Sequence, residues 1–442
     1  MNGKRRLKMK QLTRLFIPIC LETLFYMLSG MVDTLMLSAV GDYAVGAVGT
    51  ANSYIGIFII MFSIISSGMV SVMTQNIGAG RPGVAYQARQ LGLLFNAVAG
   101  VLMAVFLFSG AGAILRMVGI ADALYEPALI YLKIVGGGCI LNAVIPIFSS
   151  YLRAFGYTKQ PLYATIVGNI ANFVMNAVFL FVLHKGVAGV AIATVISKIL
   201  NLCIVLYFSH KLISAKNSTE RIANKTVLGQ IVKVGLPSAC ETALYNVAMM
   251  LVIRFLNQMD AEGLNVTARS YTATISNFSY CVGAALAQAN AIMTGWHIGA
   301  GELEECDRGT KRAAFVGVCV AVCMETAIVL GSGFIMPLFT DNPEMTALVR
   351  KLLAIDIVLE IGRVTNLVFG QALKTSGDAV FPAVIAAVFM FVFAVGGTWL
   401  FGISMGLMAV GAYIGLASDE CVRAVGMVWR WKTGKWRTKK LV

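Results

Sequence analysis

Long apolar runs alternate with short polar breaks from one end of the chain to the other. Apolar runs of about 20 residues are long enough to cross a bilayer as helices. Twelve are read, over 12–38, 45–74, 91–115, 124–148, 161–183, 187–209, 228–257, 265–295, 312–338, 346–372, 380–402 and 405–428. Several exceed the crossing length, so tilting or cytoplasmic extension is expected. The period-2 alternation over about 10 residues that marks outer-membrane barrel strands is absent. The pattern therefore predicts an all-α integral membrane protein with twelve transmembrane helices. The longest polar break, His210 to Thr226, separates six spans from six. It sets the expected division into a lobe over 1–209, a cytoplasmic linker over 210–226 and a second lobe over 227–442 with a basic tail.

The two halves repeat. Pro18-x-x-x-Glu22-Thr23 returns as Pro237-x-x-x-Glu241-Thr242, at an offset of 219 residues. Ile77-Gly78-Ala79-Gly80 returns as Ile298-Gly299-Ala300-Gly301, and Leu152-Arg153-x-x-Gly156 with Pro161 returns as Leu373-Lys374-x-x-Gly377 with Pro382, both at 221. A shift of six spans keeps the orientation, so the predicted lobes form a parallel, pseudo-symmetric repeat, an architecture that commonly places the substrate path between its halves.

Polar residues inside the apolar runs are the candidate chemistry. A charge at the bilayer centre costs about 2.5–3.5 kcal/mol on insertion scales and usually faces a bundle interior or wet cavity. The first span carries Glu22 and Asp33, with Tyr26 and Ser29 on the same helical face. Pro18 removes a backbone donor near its start and marks a hinge. Asn169, Asn172 and Asn176 share one face of the fifth span, and Thr194 lies in the sixth. Amide and hydroxyl oxygens around one carboxylate suit a proton or a monovalent cation. Interhelical hydrogen bonding explains the same residues equally well. Lys198, in the sixth span, needs a carboxylate partner or a wet cavity. In the second half, Glu241 and Tyr245 share a face of the seventh span, and Asn277 belongs to a run of small polar residues in the eighth that reads as cavity lining. Glu325 falls in the middle of the ninth span. Asp356, Glu360, Arg363 and Asn366 line up along the tenth. Glu360 and Arg363 are spaced to pair, either structurally or around a substrate, and Asp356 is placed near the outer surface. The 22 methionines read as filler or as an adaptable apolar lining.

Composition sharpens this picture. The 442 residues are 58% hydrophobic and 13% charged, too apolar for a soluble fold. The net charge of +14 is no sign of nucleic acid. Its Lys and Arg residues crowd the termini and alternate loops, which places both termini in the cytoplasm. The plasma membrane is the expected location. Trp429, Trp431 and Trp436 in the tail suit an interfacial anchor. The N-x-S/T sequons at Asn217 and Asn224 fall inside the cell and are read as chance. Nine cysteines without C-x-x-C spacing and three scattered histidines form neither a disulfide framework nor a zinc site. P-loop, HExxH and nucleophile-elbow signatures are missing, so no enzyme is predicted and transport must draw on an ion gradient or a partner.

These elements together resemble the multidrug and toxic compound extrusion (MATE) family over nearly the whole chain. The resemblance rests on Pro18 and Glu22 with Val32-Asp33-Thr34, on Gln75-x-x-Gly78-Ala79-Gly80, on Arg153-Ala154-x-Gly156-x-Thr158-x-x-Pro161, and on Gly189-x-Ala191-x-Ala193-Thr194. It implies secondary-active export of organic, often cationic, compounds in exchange for Na⁺ or H⁺. It also implies an ion site in the first lobe at Asp33, Asn172, Asn176 and Thr194. Glu22, Tyr26, Ser29, Asn169, Lys198, Glu241, Tyr245, Asn277, Glu360 and Arg363 are the candidate substrate-cavity residues. Arg363 stands where some members carry an acid, and Tyr245 and Asn246 stand where some carry a second acid on the seventh helix. Expected partners are small organic molecules and membrane lipid, with no cofactor beyond the coupling ion and a monomeric state. The rival reading is a lipid-linked oligosaccharide or lipid flippase of the same superfamily, kept open by Lys198 and Arg363.

Overall fold

The computed structural model describes residues 2–117, 120–213, 220–260 and 263–442, with the side chains of 2–9 and of Asp42 excluded. Lys216 and Asn217 of the linker, and the side chains of Lys4, Arg5, Arg6 and Lys8 in the basic head, lie outside the described residues. Every described element is helical. The helices are α1 Asn2–Ser38, α2 Asp42–Gly78, α3 Pro82–Met117, α4 Asp122–Gly137, α5 Cys139–Ala154, α6 Lys159–Ala177, α7 Gly186–Leu212, α8 Asn224–Met259, α9 Leu264–Gly299, α10 Leu303–Ile335, α11 Pro343–Ser376, α12 Val380–Phe389 and α13 Met408–Lys432. The chain divides into two compact units, Met1–Gly235 and Leu236–Val442.

The fourth predicted span is broken. α4 and α5 meet at Gly138 with a bend of 42°. Three consecutive glycines, Gly136 to Gly138, weaken the helix there. Among the described residues, eight helices are long and apolar enough to cross a membrane, nine counting the bent pair. α9, α11 and α13 fall short because they carry the polar side chains of the second unit.

The repeat recurs in the backbone. Gly80 and Gly301 both adopt φ +74°, and Gly156 and Gly377 adopt +85° and +98°. These left-handed turns favour glycine. At Gly377 a side chain would also strike the Lys439 carbonyl, 2.3 Å from a Cβ. π-helical turns follow α6 at Val178–Val182 and lie beyond α12 at Thr398–Ser404, again at corresponding places.

Apolar packing holds each unit. In the first, Ala44, Ala47, Ala51, Leu107, Ala111 and Leu132 are buried without residual exposure, and the small residues let α2, α3 and α4 approach closely. In the second, Val252, Leu256, Val349, Leu352 and Ala412 form the corresponding core. The basic tail departs from the interfacial-anchor expectation. Trp431 and Trp436 are buried and stack at 4.2 Å between centroids, and the Trp431 indole donates to Asp307 Oδ1 at 2.7 Å. Arg430 clamps Asp378 with two hydrogen bonds, leaving Trp429 as the exposed tryptophan of the three. Tail aromatics that find a polar partner for the indole N–H pack inside.

Candidate functional site

In the first unit, α1 and α6 bring the predicted set together. Asn176 Nδ2 donates to Asp33 Oδ1 at 2.8 Å and to Asn172 Oδ1 at 3.1 Å. Asn172 and Asn176 are buried and Asp33 is half-buried. Asn176 Oδ1 is buried with no hydrogen-bond partner. A buried carbonyl oxygen left unpaired normally needs explaining, and an absent cation or water is one explanation. Thr194, on α7, donates its hydroxyl to Val190 O at 2.9 Å, which leaves the oxygen's lone pairs free to accept. The Tyr131 hydroxyl from α4 reaches both Thr194 and Asn52 of α2, beside Asp33. Tyr131 and Asn52 were not singled out from sequence.

Other predicted residues of this unit lie apart from that cluster. Glu22 forms an ion pair of 2.5 Å with Arg153 at the end of α5. Asn169 donates to the Phe25 carbonyl at 2.9 Å, tying α6 to α1. Tyr26 is 72% exposed and Ser29 half-buried. Lys198 has a partner that is not a carboxylate: its Nζ donates to Asn142 Oδ1 of α5 at 2.8 Å, with Asp33 and the Cys139 thiol close enough for their charges to interact. α1 runs on through Pro18. The Arg14 carbonyl, which the proline deprives of its helical donor, instead accepts from the Thr158 hydroxyl at 3.4 Å.

The second unit holds a cavity of 460 Å³. Glu241, Tyr245, Asn277 and Arg363 line it; Glu360 stands behind the lining, fully buried, and pairs with Arg363. Asp356 is buried and lines the cavity, which corrects its placement near the outer surface: on α11 it faces the polar side of α9 rather than solvent. Glu241 pairs with Lys374 at 2.8 Å. Since Glu22 pairs with Arg153 at the repeat-equivalent positions, the two motifs are one duplicated ion pair.

α13 supplies what the sequence reading missed. Arg423 chelates Asp419 through two bonds of 2.6 and 3.0 Å and contacts Glu420 at 2.8 Å. Glu420 also approaches Arg363 at 3.8 Å and accepts from Asn366 at 3.0 Å. The Asp419-x-x-x-Arg423 spacing, one helical turn, was the available signal. Glu325, on α10, is fully buried with no ion pair to a cation, beside Ser279 of α9 and near Asp356 and Glu360. Among the described residues no three carboxylates, thiols or imidazoles converge in metal-binding geometry. A cation in the first unit would therefore be held by one carboxylate and neutral oxygens.

Two repeats of long apolar helices with carboxylates and amides buried among them define a polytopic membrane protein. Comparison with known proteins gives the family. The MatE family model matches residues 18–178 and 237–400, once in each repeat, and the chain belongs to that family. It is 32% identical to the uncharacterized transporter YisQ of Bacillus subtilis, over 96% of this chain and 94% of the relative. It is 20% identical to the probable multidrug resistance protein NorM of Thermotoga maritima, over 98% and 94% of the two chains. The fold matches an outward-facing multidrug resistance MATE family transporter of the MOP superfamily, with a TM-score of 0.83 at 21% identity over 97% and 96% of the two chains. The fold is therefore that of a twelve-helix transporter in two six-helix lobes, and family members are transporters rather than enzymes.

Proposed function

We propose that the chain is a secondary-active efflux antiporter. It exports organic small molecules, cationic or amphipathic, in exchange for Na⁺ or H⁺, across a plasma membrane with both termini in the cytoplasm. The observation that carries this reading is Asp33: one carboxylate in the first repeat, held by Asn176, with an unpaired amide oxygen beside it. Its repeat-equivalent position is Val252, so the acid is not part of the duplicated scaffold.

In the cycle, ion-free Asp33 is compatible with bound substrate. The coupling ion enters from outside and neutralises it, with Asn172, Asn176 and Thr194 as the neighbouring oxygens. α1 then repacks about Pro18, where Thr158 already satisfies the freed carbonyl, and substrate is expelled. The relative named as a multidrug resistance protein supports the substrate class. The second unit's cavity accepts an amphipathic compound: acids Glu241, Asp356, Asp419 and Glu420 match Arg269, Arg363, Lys374 and Arg423 one for one along its lining, beside apolar Met249, Leu359 and Leu416. The flippase alternative calls for a larger and more basic cavity; 460 Å³ is the size of a drug-sized ligand site.

The test is Asp33→Asn in proteoliposomes loaded with ethidium under imposed Na⁺ and pH gradients. Gradient-driven export falls to the protein-free leak. Export at the wild-type rate would show that Asp33 is not the coupling acid.

A further inference from the structure

Lys198, half-buried beside the Asp33 cluster, is an ionisable group of the first unit that the cycle above does not use. It sits one turn beyond Thr194 on α7 and faces the same cluster. Among the described residues no carboxylate lies within ion-pair distance of it; its Nζ hydrogen bond goes to the neutral Asn142 Oδ1 at 2.8 Å. The titratable groups facing it are Asp33 from α1 and the Cys139 thiol from α5, and Tyr131 of α4 faces Asp33 in turn. The Asn142 amide is held between the Lys198 Nζ, which donates to its oxygen, and the Cys139 thiol. One basic and one acidic side chain therefore share the site, which carries no net charge before any ion arrives.

We propose that Lys198 determines which ion couples: its ammonium is the resident cation of the Asp33 site, and it closes that site to Na⁺ while leaving it open to H⁺. This rests on the reading of Asp33 as the coupling acid. A sodium ion must take a shell of oxygens from Asp33, Asn172, Asn176 and Thr194, and it must do so next to an ammonium in a medium of low effective dielectric. Repulsion between unit charges about 4–8 Å apart at an effective dielectric of about 20 corresponds to a factor of about thirty to a thousand in affinity. A proton needs no such shell. It enters as an O–H bond on the Asp33 carboxylate, and Lys198 keeps its own proton and its bond to Asn142. The Asp33 proton leaves to the cytoplasm when substrate binds, so one H⁺ enters for each cycle and nothing is oxidised or reduced.

The experiment compares wild type, Lys198→Met and Lys198→Arg in ethidium-loaded proteoliposomes, under a Na⁺ gradient alone and a pH gradient alone, with Na⁺ binding to each purified protein measured by titration calorimetry. Wild type and Lys198→Arg export on the pH gradient, ignore the Na⁺ gradient and give no Na⁺ binding heat at 10 mM. Lys198→Met gains Na⁺ binding at least tenfold tighter than wild type, and Na⁺ begins to drive or compete for export. Lys198→Met that exports on the pH gradient and still ignores Na⁺ overturns the role of Lys198 and leaves the antiporter reading standing. Wild type driven by Na⁺ also overturns it, with no variant needed, should Lys198→Met fail to fold. Wild type that answers to neither gradient overturns the antiporter reading itself.

Discussion

The two repeats share a scaffold and differ in what they bury. Each keeps its proline, its left-handed glycines and its helix-to-helix ion pair, Glu22 with Arg153 and Glu241 with Lys374. Beyond that the interiors diverge. The first encloses one carboxylate, one ammonium and a set of neutral amides. The second encloses a network in which Arg363 and Arg423 are shared among Glu360, Asp419 and Glu420. A dense network of compensated charges is hard to switch, because removing one charge strands its neighbours. A lone carboxylate held by neutral groups changes state when a single ion arrives. Under the proposed function, the contrast gives coupling to the first repeat and architecture with substrate contact to the second.

Mutations can break that comparison, and the largest effect belongs to the network. Arg423→Met strands the buried Asp419 carboxylate, takes the nearer cation from Glu420, and should destabilise the protein by about 3–5 kcal/mol. Thermal unfolding in detergent reads this as a drop of several degrees; an unchanged midpoint means that the network is not structural. Next come the duplicated ion pairs. Glu22→Gln and Glu241→Gln each lose a charge-assisted hydrogen bond worth about 1.5–3 kcal/mol. Equal losses in the same assay confirm a shared scaffold role, and a loss confined to one lobe breaks the symmetry. Gly156→Ala and Gly377→Ala each force a left-handed backbone on alanine, at about 1–2 kcal/mol. Gly377→Ala should exceed its partner because its methyl meets the Lys439 carbonyl. The smallest effect is the control: Arg308→Ala removes a 3.7 Å exposed pair with Glu305 and should shift stability by less than about 1 kcal/mol.

Much of this contrast was legible in the sequence. Apolar length gave the spans, and three ordered matches gave the repeat. The periodicity of Asn169, Asn172 and Asn176 put them on one helix face, and Asp33 stood out as an acid without a counterpart. Long-range pairing was not legible. Lys198 meets Asn142 across 56 residues of chain, and no local pattern announces that contact. The α13 charges were overlooked because they stand at the cytoplasmic end of the last predicted span, where they merge with the basic tail. Asp356 was misplaced because its distance along α11 from the outer end reveals nothing about which neighbour covers it. The break at Gly138 was readable from the glycine run, since flexible backbone is where a span bends.

The central claim is that one site, at Asp33, exchanges the ion that substrate binding releases. Linkage makes this measurable without a membrane, because a substrate that displaces a proton must release it in proportion to binding. Ethidium titrated into the detergent-solubilised protein by calorimetry, in buffers of differing ionisation enthalpy, counts those protons. The account predicts about one proton released per ethidium bound by wild type and none by Asp33→Asn. Undiminished proton release from Asp33→Asn would place the coupling acid elsewhere and contradict it.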